Sequence, residues 1–171
     1  ILASSFHYSQ HKELKLRKEE RYRIEDIDKV NFIWLKAFPY QKNDWRRIIN
    51  MISYMFSSYF LGRKITKIDK NIKKPDIVIG SSVHPLAALS AFWLSKKHKA
   101  KFIMEVRDLW PQTLIDMGKF NKNNSIVKIL QALEVFLYKK AQKIIILPSQ
   151  TLGYIVNLGI NKNKIISIPN G

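Results

Sequence analysis

Residues 76–106 read DIVIGSSVHPLAALSAFWLSKKHKAKFIMEV, and their pattern decides the fold. The run 76–80 is a short apolar strand, 84–97 has helical spacing with Pro85 suited to its first turn, and 101–106 is a second apolar strand. Two strands of continuous Ile, Val and Met joined through a helix imply parallel neighbours, because a crossover helix returns the chain to the same edge of the sheet. The alternation continues outward. Residues 31–35 (NFIWL) read as a strand and 44–61 as a helix. Residues 125–141 are a helix with apolar residues at 126, 129, 130, 133, 136 and 137. Residues 143–147 (KIIIL) are a strand, 149–159 a short helix and 164–168 (KIISI) a last strand. The class is α/β, a parallel sheet expected to carry helices on both faces.

At 171 residues the chain suits one domain, 1–171, with a core of its own. The start at Ile1 and the end on IISIPNG suggest a piece cut from something larger, and no signal peptide is recognisable. The absence of cysteine excludes disulfides, thiolate nucleophiles and cysteine-ligated zinc, and fits a reducing compartment. Residues 77–95 hold no Lys, Arg, Asp or Glu, but Gly80, Ser81, Ser82, His84 and Pro85 break them into strand, loop and helix. Residues 48–62 are too short and polar to span a bilayer, so no transmembrane segment is expected.

Thirty Lys and Arg against 13 Asp and Glu give a formal charge of +17. Such an excess points to a polyanionic partner or to a biased nucleotide composition, which the Lys-, Asn- and Ile-rich runs also suggest. Residues 12–29 carry seven basic and six acidic residues, a mixed and solvated stretch. Residues 36–74 carry ten basic residues against Asp44 and Asp69. A basic nucleic-acid-binding domain would account for the charge, but no nucleic-acid module is recognisable and the aromatics fall on helical stripes.

In an open parallel sheet, ligands bind beyond the carboxyl ends of the strands. Three loops occupy that edge: GSSVHP after 76–80, EVRDLWP after 102–106 and PSQ after 143–147. They supply Ser81, Ser82 and His84, then Glu105, Arg107, Asp108 and Trp110, then Ser149. His84 reads either as a capping histidine or as a donor to substrate. Alternation places Glu105 and Arg107 on one face, where an ion pair would relieve the burial of Glu105, and leaves Asp108 facing the rim. No G-x-G-x-x-G or G-K-[ST] loop occurs, and His7 and His11 lack the glutamate of a zinc protease, so no metal site is expected.

The stretch 44–64 carries a stripe of Trp45, Ile48, Ile49, Ile52, Met55, Phe56, Tyr59 and Phe60, as wide as a core-facing stripe. Met51, Tyr54 and Leu61 lie off it, beside Arg46, Arg47, Arg63 and Lys64. Two readings stand: a helix packed on the core alone, or one that also touches anionic lipid through Trp45 and these four bases.

The runs IVIGSSVHPLAALSAFWLSKKHKAKFIMEVRDLWPQTLIDMG, KIIILPSQ and ISIPNG together resemble the amino-terminal half of glycosyltransferase family 4. The bacterial subgroup that builds O-antigen and capsule, with its L-fucosamine-type transferases, is most similar. The resemblance implies a GT-B architecture of two Rossmann-like domains, this one on the acceptor side, and a retaining transfer of sugar from a nucleotide-sugar. The donor is expected to be UDP-linked and the acceptor a polyprenyl-diphosphate-linked or other glycan in cell-surface polysaccharide synthesis. No further cofactor and no nucleic acid are implied, and the place is the inner, cytoplasmic face of the bacterial plasma membrane. Arg107 and Asp108 would be catalytic, with Glu105 and Trp110 supporting them. Ser81, Ser82, His84, Ser149, Asn170 and Gly171 would bind substrate. Relatives often carry His where this chain has Arg107. The missing first strand with its Gly-rich loop, and the donor-binding domain, would make the chain half of an enzyme.

Overall fold

The computed structural model describes residues 1–42, 44–112, 115, 121 and 123–169. The chain divides into two compact units, Ile1–Lys74 and Pro75–Gly171.

The first unit is built on a mixed three-stranded sheet. Strand β1 (Leu2–Ser4) runs parallel to β5 (Val30–Leu35), and β4 (Tyr22–Ile27) lies antiparallel on the other side of β5. A ribbon of β2 (Phe6–His7) and β3 (Lys12–Glu13) completes the strands. One expectation changes here: the stretch 12–29, read as solvated, contains β4. Charge hid that strand, because its polar residues are paired. Glu25 accepts from Trp34 Nε1 (2.6 Å) and Lys15 Nζ (3.2 Å), and Arg23 bonds Glu20 (2.6 Å). These contacts hold both glutamate carboxyls below their usual range, mainly through the Trp34 bond at Glu25 and the Arg17 amide at Glu20. The β4–β5 turn is made by Asp28 and Lys29, both at positive φ (52° and 66°), the handedness a tight hairpin needs.

Helix α1 (Trp45–Gly62) starts on Asp44, whose carboxylate accepts from the Arg46 amide (2.9 Å), and a one-turn α2 (Ile65–Ile68) follows it. The core holds Ile33, Leu35 and Ile65, with Leu2, Ile24, Tyr54, Leu61 and Ile72 packed against it. Tyr54 Oη donates to the Leu2 carbonyl (3.0 Å), and burial pushes its phenol up to about 12.

The second unit agrees closely with the sequence. Its strands β6 (Ile77–Ser81), β7 (Lys101–Val106), β8 (Lys143–Ile146) and β9 (Ile165–Ser167) lie in that order, all parallel. Helices α3 (Pro85–His98), α4 (Ser125–Lys140) and α5 (Thr151–Asn157) connect them. Met104, Val106, Ile144 and Ile146 alternate onto one face and are buried with Ala88, Phe92 and Leu137. On the opposite alternation, Ile77, Ile79 and Ile166 are exposed. Gly80 lets α3 approach β6, because a Cβ there would stand 2.9 Å from Ala91 Cβ and 3.1 Å from the Ala88 backbone.

The apolar spacing of α4 misleads about which side is inward. The helix buries Val127, Glu134, Leu137 and Tyr138, whereas Ile126 and Ile129 are exposed. A carboxylate sits in the buried row, so a hydrophobic count turns the helix the wrong way.

Candidate functional site at the strand ends

Because β6, β7 and β8 are parallel, the loops after them leave the sheet at one edge. The shared rim expected from the sequence is present, and Ser82 ties two of its loops together. Ser82 is 3% exposed, and its amide donates to the Glu105 carbonyl (2.9 Å). Its Oγ donates to the Asp108 carbonyl (3.0 Å) and accepts from the amides of Arg107 (3.0 Å) and Asp108 (3.4 Å). The hydroxyl is therefore committed to the loop backbone. The side chains of Arg107 and Asp108 are exposed and make no hydrogen bond or ion pair among the described residues. A fixed backbone thus presents a free guanidinium beside a free carboxylate.

The expected ion pair between Glu105 and Arg107 is not formed. Glu105 is only half-buried and pairs in register with Ser81 at the very end of β6, where water still reaches it, so no partner is required. Ser81 Oγ and Trp110 Nε1 are buried at this edge without a hydrogen-bond partner. The Trp110–Pro111 bond is cis, and Pro111 is fully buried.

His84 takes the capping role. Its Nδ1 accepts from the Ala87 amide (3.1 Å) in extended backbone, with Pro85 in the first turn of α3. Ser149 is exposed in the loop after β8, and Asn170 and Gly171 lie outside the described residues.

One residue of this site is absent from the sequence reading. Glu134 of α4 is 3% exposed and accepts from Tyr138 Oη (2.9 Å) and from Tyr154 Oη of α5 (2.8 Å). Burial outweighs the two phenols and the Trp110 amide, which act to lower it, and pushes its carboxyl up to about 7, and it pushes both tyrosine phenols up as well. The available signal was a lone acid within 125–140, four residues before a tyrosine.

In the first unit, α1 turns its aromatic stripe to solvent. Trp45 is 60% exposed, Ile48 56%, Phe56 45% and Phe60 49%, while Met55, Ser58 and Gly62 are buried. Most of the stripe expected to face the core is thus on the outer face, with Met55 the buried exception. The inner face uses polar and small groups instead: Ser53 Oγ accepts from the Phe38 amide (2.7 Å), and Ser57 Oγ donates to the Lys36 carbonyl (3.1 Å). Tyr54 and Leu61, off the stripe, pack on the core. Arginines flank the exposed rings at both ends. The Arg46 guanidinium lies 5.4 Å from the Trp45 ring centre, and that of Arg63 lies 4.8 Å from Phe60. Arg47 is half-buried and Lys64 exposed.

Among the described residues, no helix is long and apolar enough to cross a membrane, and no group of three or more His, Asp or Glu could hold a metal ion. Residues 16–171 match the family model described as Glycosyl transferase 4-like domain. No curated protein matches the chain.

Proposed function

The chain belongs to the glycosyl transferase 4-like domain family, and from that premise we propose that it is the acceptor-side domain of a retaining glycosyltransferase. The donor is a UDP-linked sugar, a hexose or an N-acetylamino sugar, as the family resemblance implies. The acceptor is a polyprenyl-diphosphate-linked glycan, used in bacterial cell-surface polysaccharide synthesis. The observation that carries this reading is the Arg107–Asp108 loop, pinned by Ser82 through its backbone while both side chains stay free at the rim.

In retaining transfer, the bond from the anomeric carbon to the diphosphate oxygen breaks and a bond to the acceptor oxygen forms on the same face. Positive charge develops on the sugar ring and negative charge on the diphosphate. A preorganised cation and carboxylate answer these charges without reorganising. In this reading Arg107 binds the donor's phosphate or sugar oxygens. Asp108 accepts the hydrogen bond of the acceptor hydroxyl and draws off its proton. Ser82 and Trp110 hold the loop, Ser81, Glu105 and Ser149 line the rim, and Asn170 and Gly171 complete it on the donor side. UDP release in the protein that carries this domain with its donor-binding domain tests the reading. UDP-hexoses, UDP-N-acetylamino sugars and a polyprenyl-diphosphate glycan serve as probes, and acceptor-dependent release is expected. Its absence across such a panel would overturn the proposal.

The place of work is the inner face of the plasma membrane, with α1 as the contact. Its exposed Trp45, Ile48, Ile52, Phe56 and Phe60 fall within an arc of about 120° at 100° per residue. Arg46, Arg47, Arg63 and Lys64 contribute about 1 kcal/mol each near an anionic surface. Apolar rings flanked by arginines suit a bilayer of anionic lipid, where the rings enter the acyl boundary and the guanidinium groups meet phosphates. Co-sedimentation with phosphatidylglycerol vesicles is expected to exceed that with phosphatidylcholine vesicles, and to fall when the four bases become Gln. Equal binding to both vesicle types, or none to either, would count against a bilayer and favour a protein partner on this face.

A further inference from the structure

The first unit carries a turn that neither the rim nor α1 uses. In a chain of formal charge +17, residues 2–11 hold no charged side chain, and 5–11 read SFHYSQH, neutral hydrogen-bonding groups around aromatic rings. The turn follows β1 beyond its carboxyl end, at the edge where the 36–40 segment leaves the parallel β5. The β2–β3 ribbon has two residues per strand, too short to hold itself. It is fastened from below. The Ser5 amide donates to the Leu35 carbonyl (3.0 Å) and Ser5 Oγ to Glu13 Oε2 (2.7 Å), while the buried Phe6 ring lies 5.0 Å from the buried Tyr40 ring. His11 adopts a left-handed backbone (φ 51°), uncommon for a residue with a side chain, and sets its ring edge-on to Tyr40 at 5.1 Å.

On this fixed base the outermost rings meet solvent. Tyr8 is 75% exposed, so it adds little to a core, yet it stacks on His7 with ring centres 5.9 Å apart and planes 10° apart. His7 Nδ1 accepts from the Gln10 amide (3.3 Å) and lies 3.1 Å from Ser9 Oγ. That nitrogen therefore carries no hydrogen, and Nε2 is the ring's donor, without a partner among the described residues. We propose that His7 and Tyr8 form a shelf for a neutral saccharide. A sugar ring has an apolar face of C–H bonds, which lies against an aromatic face, and an edge of hydroxyls that donate and accept. Tyr8 offers the face; His7 Nε2 and the exposed Ser9 and Gln10 side chains offer the hydrogen bonds. The lack of charge in the turn selects against a phosphate or a carboxylate and sets it apart from α1. That the saccharide belongs to the glycan acceptor rests on the transferase reading above; the shelf itself does not.

Titrating the intact chain with methyl glucoside, N-acetylglucosamine and chitobiose, followed by NMR shifts, tests the shelf, with inorganic phosphate as the charged control. The Tyr8, Ser9 and Gln10 amides are expected to shift with at least one sugar and not with phosphate. Tyr8→Ala alters an exposed side chain and is expected to weaken that binding about 10-fold, whereas Tyr8→Phe keeps the ring face and should hold it within about 2-fold. Shifts that answer to phosphate instead, sugar binding that Tyr8→Ala leaves unchanged, or no shift with any sugar at about 50 mM would overturn the proposal. Measured beside UDP release, the two readings fail separately. Sugar binding at Tyr8 without any UDP release would sink the transferase and leave the shelf, and UDP release with no sugar shift at Tyr8 would do the opposite.

Discussion

The Ser82 hydroxyl can accept two amide hydrogens because its own hydrogen is turned toward the Asp108 carbonyl. Ser82→Ala therefore removes the acceptor of two part-buried amides, at a cost of about 1 kcal/mol. Faster exchange at Arg107 and Asp108 with Ile144–Ile146 of β8 unchanged is the expected pattern; a uniform loss of protection would show that Ser82 is not a local anchor. Asp108→Asn keeps the shape and removes only the negative charge. If Asp108 handles the acceptor proton, turnover should drop ~10²-fold or more with the melting temperature within a degree or so, and full retained activity would remove it from the chemistry. Glu105→Gln is expected to be nearly silent in stability, within about 0.5 kcal/mol. The residue has no ion-pair partner to lose, although its spacing from Arg107 suggested one. The place of these charges on the rim was legible from the sequence. The hydrogen bonds of Ser82 were not, because they join positions some 25 residues apart that only the parallel register brings together.

Helices α1 and α4 share a lesson about amphipathic patterns. In α1 the most apolar arc is the outer one, and Ser53, Ser57, Ser58 and Gly62 serve the inner side, since close approach to β1 and the 36–38 segment needs small groups and hydrogen bonds. A hydrophobic stripe marks the face that avoids water, and that face can meet a membrane as well as a core. Replacing Phe56 and Phe60 with Ser should thus cost less thermal stability than the same change in the core, because about half of each ring is already exposed, yet weaken binding to phosphatidylglycerol vesicles. Tyr54→Phe should do the reverse. It strands the Leu2 carbonyl and costs about 1 kcal/mol with vesicle binding unchanged. A pair of Ser substitutions that melts the unit would mean the rings are packed rather than free. In α4 the element itself was legible, and its rotation was not, because Glu134 belongs to the buried row only by virtue of Tyr138 and of Tyr154 on α5.

Over the whole molecule, the parallel second unit could be read from continuous apolar strands alternating with helices, whereas β4 was masked by charges that pair only once the strand exists. Those same groups make the two units respond to pH in opposite directions. In the first unit, Glu20 and Glu25 have carboxyls lowered by their hydrogen-bond partners. Groups of this kind add stability above their unfolded pKa, and it is lost as pH falls through the folded value. In the second unit, Glu134 is raised from 4.5 to about 7. Between those values the folded state holds a proton that the unfolded chain has released, so stability is greatest below about pH 4.5 and declines as pH rises toward 7. A shift of that size corresponds to roughly 3 kcal/mol at most, at 1.36 kcal/mol per unit. Amide exchange, corrected for its intrinsic pH dependence, should therefore show β7 and β8 losing protection from pH 5 to pH 8. Over pH 5 to pH 3, β4 and β5 should lose it instead. Glu134→Gln removes the titrating group and should flatten the first trend without touching the second. If β7 and β8 instead keep their protection unchanged from pH 5 to pH 8, the carboxyl is ionised throughout, and its donors outweigh the cost of burial.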